Sequence, residues 1–260
     1  MTTPRVLCLS GLDPAGAAGL ARDLWALARA GGRGLPVPTC LTVQSSRRFV
    51  SLEPTPPAWL AEALRLARAD EAPEAAKVGL VADAATPALL AEGLAGIPAL
   101  VVDPVRAPSL GGAGHGDEVA RALRAAFAPL APVWTPNLPE LAWLCGTDDP
   151  LRAARALLDE GARGVLVKGG HAGGPELVDL WVEAGREQEL RRPRIGGPPR
   201  RGTGCVLASL LALELARGQA PLEAARDACD RLGRLWAELD PWIGEDDSGA
   251  RDQATPDGER

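Results

Sequence analysis

Ala99-Leu100-Val101-Val102-Asp103-Pro104 is the stretch on which the fold turns. Its run of apolar residues, two of them β-branched, reads as a strand buried on both faces, and Asp-Pro stops it. The same pattern returns on either side, at residues 6–10, 36–43, 75–80, 133–134 and 164–168. Helical periodicity fills the gaps at 17–30, 58–69, 86–94, 117–128 and 151–160. Continuous apolar strands alternating with amphipathic helices predict a mostly parallel sheet with helices on both faces, an α/β three-layer sandwich. Residues 53–57 read as a proline-rich connection, and 177–183 with 189–195 as a hairpin.

The hairpin delivers the chain to Arg201-Gly202-Thr203-Gly204-Cys205, which runs into the apolar residues 206–216. Leu207, Leu210, Leu211 and Leu215 stand at helical spacing, so a helix starts here. Free N–H groups and the positive dipole end at such a start make an anion site. Cys205 falls in the first turn, where a thiol pKa is lowered. An anion cradle beside a base suits phosphoryl transfer onto a hydroxyl; a glycine-rich helix start with a packed cysteine is the plain alternative. A last amphipathic helix is expected over 221–239.

At 260 residues the chain holds one large domain with a full core, expected over 1–243. Residues 244–260 are acidic, almost without apolar side chains, and read as a disordered tail. A net charge of −6 argues against a nucleic-acid or membrane surface. Five widely spaced cysteines, with no C-x-x-C pair, point to a reducing compartment, with the cytoplasm as the expected location. Of 28 basic residues only Lys77 and Lys168 are lysines, both near the ends of apolar runs beside glycine. In a chain that writes arginine elsewhere, these two mark places that need a compact ammonium.

Several other positions admit two readings. Gly11-Leu12-Asp13-Pro14-Ala15-Gly16-Ala17-Ala18-Gly19 is a glycine-rich strand-to-helix turn, but neither G-x-G-x-x-G nor a Walker loop. Asp23 lies in the following helix and reads as solvated or as part of a site. Gln44 stands just beyond the second strand, where open α/β sheets bind ligands, or is a plain loop residue. Asp103 either terminates its strand or bears on a metal–phosphate group. Asn137 and Glu140 are spaced as a capping box, and the same amide and carboxylate could hold hydrated Mg²⁺. Lys168, in a glycine turn, either reaches a nucleotide phosphate or is solvated. The glycines of 106–116 read as a flap or as a simple connection.

In this order the motifs resemble the ribokinase-like superfamily, and within it the hydroxymethylpyrimidine/phosphomethylpyrimidine kinases of thiamin biosynthesis. The matching strings are Gly11-x-Asp13-Pro14-x-Gly16-x-x-Gly19 with Asp23, Gln44, Lys77-x-Gly79, Val102-Asp103-Pro104-Val105, Thr135-Pro136-Asn137-Leu138-Pro139-Glu140, Val167-Lys168-Gly169-Gly170-His171 and Gly202-Thr203-Gly204-Cys205. The resemblance implies transfer of the ATP γ-phosphoryl to 4-amino-5-hydroxymethyl-2-methylpyrimidine, and the family also phosphorylates the monophosphate. It implies Cys205 as base, with Gly202, Thr203 and Gly204 as the anion hole. Gln44 would hold the pyrimidine, with Gly11, Asp13 and Asp23 lining its pocket. Lys168, Asn137, Glu140 and Asp103 would serve ATP, with Asp103 and Glu140 on Mg²⁺ through water or phosphate. Relatives are commonly homodimers. Arg201 stands where the family usually has histidine, and the flap 107–110 lacks the family's lysine. The rival expectations are a pyridoxal-type vitamin kinase and a non-catalytic pyrimidine sensor.

Overall fold

The computed structural model describes residues 3–45, 47–70, 72–107, 114–169, 174–198 and 200–239. The acidic tail 244–260, the middle of the expected flap and His171 lie outside the described residues. Among the described residues nine strands form one sheet: β1 (Arg5–Leu12), β2 (Arg33–Gln44), β3 (Phe49–Pro54), β4 (Ala75–Val78), β5 (Leu100–Val102), β6 (Val133–Trp134), β7 (Gly164–Val167), β8 (Glu176–Glu183) and β9 (Arg186–Pro193). Their order is β3-β2-β1-β4-β5-β6-β7-β8-β9. Strands β2, β1, β4, β5, β6 and β7 run parallel, and β3, β8 and β9 are antiparallel additions at the two edges.

Eight helices of the described residues cover the sheet: α1 (Gly19–Arg29), α2 (Pro57–Asp70), α3 (Thr86–Leu94), α4 (Asp117–Phe127), α5 (Leu138–Cys145), α6 (Pro150–Asp159), α7 (Thr203–Ala216) and α8 (Pro221–Leu235). Alternate strand residues serve opposite cores, as a pleat of period two demands. Val6, Cys8, Ala75, Val101, Val133 and Leu166 pack with residues of α1, α7 and α8. Leu7, Leu9, Ala76, Val78, Leu100, Val102 and Trp134 pack with α2 to α6. Helix α7 is buried from Val206 to Leu215, which explains a run apolar on every side.

Two expectations are corrected. Residues 53–57 are not mere connection: Glu53 and Pro54 end β3, which pairs antiparallel with β2. Gln44 is not beyond a strand but is the last residue of β2. The chain leaves β1 for β2 on one side and later reaches β4 on the other, so the order of strands reverses between β1 and β4. A crevice outside the carboxyl ends of the strands belongs at such a point.

Candidate active site

That crevice is a cavity of about 930 Å³. Its wall takes Ser10 and Gly11 from the end of β1, Gln44 from β2, Asp103 after β5, Asn137 and Glu140 at α5, Lys168 after β7, and the Gly202–Cys205 turn. Residues more than 190 positions apart in sequence thus meet because every parallel strand ends on one side.

Two glycine turns interlock at its floor. Asp13 organises the first, accepting from the Ala15 N–H at 2.8 Å and the Ala17 N–H at 3.1 Å. Gly19 has φ +56°, and a Cβ there would lie 2.1 Å from the Gly11 carbonyl oxygen. Gly202 has φ +72°, and a Cβ there would lie 2.4 Å from the Ala17 carbonyl oxygen. Only glycine gives the left-handed conformation and the close approach together. The α7 terminus is therefore clamped against the β1–α1 turn, and the Gly19 N–H points at the Cys205 sulfur.

The sulfur reaches the cavity, but the expected lowering of its thiol is corrected. Burial pushes Cys205 up to about 11, with Asp23 and Asp103 adding to the rise; Lys77 and the Gly19 N–H oppose it. The helix terminus alone does not outweigh the desolvation of a thiolate.

Asp23 is likewise corrected. It does not line the cavity but lies fully buried beneath it. Its carboxylate accepts from Lys77 Nζ at 2.9 and 3.0 Å and from Ser209 Oγ at 2.9 Å. Lys77 is also fully buried. Burial works against its ammonium, but Asp23, Cys205 and Asp103 outweigh burial and hold its pKa above the ordinary lysine value.

Lys168 has a different setting. Its Nζ lies 2.7 Å from Asp103 Oδ1 and 3.4 Å from Glu140 Oε2, while 15% of its side chain stays exposed. Burial raises the Asp103 carboxyl, yet Lys168 and Lys77 carry it below the ordinary range. In Glu140 burial prevails over Lys168, and the pKa is raised. A Cβ on Gly204 would come within 3.3 Å of Lys168 Nζ and 3.7 Å of Asp103 Oδ2, so the α7 terminus abuts this cluster. Asn137 and Glu140 form the reciprocal capping box, at 2.8 and 2.7 Å. Asn137 is thus committed to the backbone of α5, while Glu140 both caps and faces Lys168.

Sequence reasoning did not anticipate the far wall. Leu177, Asp179 and Arg192 come from the β8–β9 hairpin, with Ile195 just after it. Cys229 and Leu232 come from α8, followed by Trp236. Asp179 accepts from the Gly169 N–H at 2.8 Å and from Arg192 at 2.6 Å, which ties the hairpin to the Lys168 turn. The signal in the sequence was an aspartate, Asp179, set among apolar residues of its strand. Arg201 also lines the cavity, is 3% exposed, and lies 3.8 Å from Asp13 Oδ2.

The cavity therefore offers a backbone anion cradle, a sulfur in its first turn and an ammonium held among carboxylates, the parts that phosphoryl transfer uses. Comparison with known proteins agrees. The phosphomethylpyrimidine kinase family matches residues 13–235. The chain belongs to that family. A hydroxymethylpyrimidine/phosphomethylpyrimidine kinase of Streptomyces coelicolor is 38% identical over 234 residues, covering 88% of this chain and 87% of the relative. The solved phosphomethylpyrimidine kinase of Clostridium difficile 630 superposes with a TM-score of 0.77 at 27% identity, covering 90% of this chain and all of that one. A Staphylococcus aureus pyridoxal kinase in complex with AMP-PCP shares the fold, with a TM-score of 0.81 at 24% identity, covering 90% and 88% of the two chains. The ribokinase-like architecture and the phosphotransferase activity expected from the motifs stand.

Proposed function

We propose that this kinase moves the γ-phosphoryl of ATP onto the hydroxymethyl oxygen of 4-amino-5-hydroxymethyl-2-methylpyrimidine, and then phosphorylates the monophosphate. The observation that carries the reading is the meeting of Cys205, Gln44 and Lys168 on one cavity wall. Gln44 hydrogen-bonds the aminopyrimidine, beside Gly11 and Asp13. Cys205 takes the hydroxyl proton as the oxygen attacks in line, and ADP leaves. The N–H groups of Gly202, Thr203 and Gly204 face the transferring phosphoryl and stabilise its charge. Lys168 meets the nucleotide phosphates, and Asn137 keeps the α5 terminus in place.

Among the described residues no group of three or more histidine, cysteine or acidic side chains gathers as a metal site. Two cavity carboxylates, Asp103 and Glu140, suit Mg²⁺, which keeps most of its water and leans on substrate phosphates. Asp103 and Glu140 would hold the hydrated ion, which would supply neutralisation of phosphate charge.

A resting thiol near 11 has a consequence for pH. The reactive thiolate fraction grows about tenfold per pH unit below that value. The kcat/KM for the pyrimidine should therefore climb steadily from pH 7 to 9, without a plateau, in a buffered coupled assay.

Among the described residues no helix is long and apolar enough to cross a membrane. The five unpaired cysteines suit a cytoplasmic location. Exposed Leu12, Leu41, Val43 and Val50 cluster at the β1–β2–β3 side of the sheet and are the face on which a homodimer would form.

The test is ATP consumption dependent on added pyrimidine, with products weighed by mass spectrometry. One added phosphate supports the first step and two support both. No pyrimidine-dependent ADP would leave the sensor reading, and preference for pyridoxal in direct competition would replace the substrate.

A further inference from the structure

The reaction as described leaves one costly feature unused. Lys77 and Asp23 form an ion pair in which both side chains are sealed from solvent. Burying two charges costs several kcal/mol per ion before their attraction is counted, and apolar residues would hold the same space at least as well. The pair sits under the start of α7. Ser209 stands four residues after Cys205, hence on the same face of that helix. Its hydroxyl donates to Asp23 Oδ1 at 2.9 Å. On the other side, a Cβ on Gly79 would come within 2.7 Å of Lys77 Nζ and 2.5 Å of Ser10 Oγ, and Ser10 lines the cavity. The ammonium thus lies just beneath the cavity wall, beside Ser10 and the first turns of α7.

We propose that Lys77 is a positioning residue for the phosphoryl transfer: its ammonium, fixed by Asp23 and Ser209, is the counter-charge to the Cys205 thiolate. This rests on the reading of Cys205 as base. The charged groups facing the sulfur are Lys77 from β4, Asp23 from α1, Asp103 after β5 and Lys168 after β7, together with the Gly19 N–H. Two of these are cations, but Lys168 is engaged with Asp103 and Glu140 on the nucleotide side. Lys77 is the cation on the side of α7 where Ser209 lies. Its link to Asp23 prevents it from turning into the cavity and pairing with substrate phosphate. The second lysine in an arginine-rich chain then has a reason. Its compact head packs against Gly79, where any Cβ would come within 2.7 Å of the ammonium.

The test is the pH dependence of iodoacetamide alkylation at Cys205 in the full chain, followed by peptide mass spectrometry. Lys77→Met should slow the reaction at pH 8.5 by about tenfold, equivalent to one pH unit. Asp23→Asn leaves the ammonium uncompensated and should speed it by a similar factor. A pair that merely braces α1 against β4 would loosen in both variants and change both rates in the same direction. The proposal is overturned if the two shifts share a sign, or if Lys77→Met leaves the rate unchanged. Should Lys77→Met fail to fold, Asp23→Asn decides alone: faster alkylation supports the proposal, and unchanged or slower alkylation overturns it. Alkylation reads the sulfur whether or not it is the base. An undiminished kcat in Cys205→Ala would therefore sink the base reading without confusing this result.

Discussion

The two lysines of this chain stand at neighbouring depths of the same sheet and live differently. Lys77, within β4, holds Asp23 with no solvent contact. Lys168, just past β7, holds Asp103 at 2.7 Å but keeps part of its side chain in the cavity. The chemistry of each pair is the same ammonium on the same carboxylate. Position along the strand decides what each can do. A cation inside the sheet can act only through its neighbours, whereas one beyond the strand end can meet a ligand.

Stability should separate them most. Lys77→Met leaves Asp23 buried without its partner and should cost about 3–5 kcal/mol, visible as a large fall in Tm by calorimetry. A Tm near that of the parent would show that the pair is not sealed as described. Lys168→Met should lower Tm less, because Lys77 still faces Asp103 and the cavity admits water, while kcat/KM for ATP falls about a hundredfold in steady-state assays. Unaltered ATP kinetics would remove Lys168 from the nucleotide side. A smaller effect bears on the neighbour of Lys168 at the α5 terminus. Asn137→Ala should cost about 1 kcal/mol in a denaturant melt, the usual value of a lost cap. Its ATP kinetics should change much less than those of Lys168→Met, since its side-chain oxygen already serves the Glu140 N–H.

Much of this was legible in the sequence. Strands β1, β4, β5 and β7 are buried on both faces, and their apolar runs stand out without any partner being known. Strand β3 did not stand out, because it lies at the sheet edge with no buried residue to mark it. The capping box at Asn137 and Glu140 is a local device, so its spacing announced it. The link between Asp23 and Lys77 is not local. Fifty-four positions separate them, and only the β1–β4 pairing beneath α1 brings them together. The thiol of Cys205 misled for a physical reason. A helix start is visible in Gly-Thr-Gly-Cys, but the desolvation that overrides it comes from elements spread over the chain. The far wall of the cavity was silent because Leu177, Ile195, Leu232 and Trp236 carry no chemistry that a spacing could reveal.

Catalysis as described depends on the sulfur at the head of α7. Turnover of the pyrimidine by Cys205→Ala, measured beside its affinity for the same pyrimidine, addresses it most directly. We predict a kcat lower by about 10²–10⁴-fold, the usual worth of a positioned base, with Kd changed by less than about threefold. A kcat close to that of the parent chain would contradict the account.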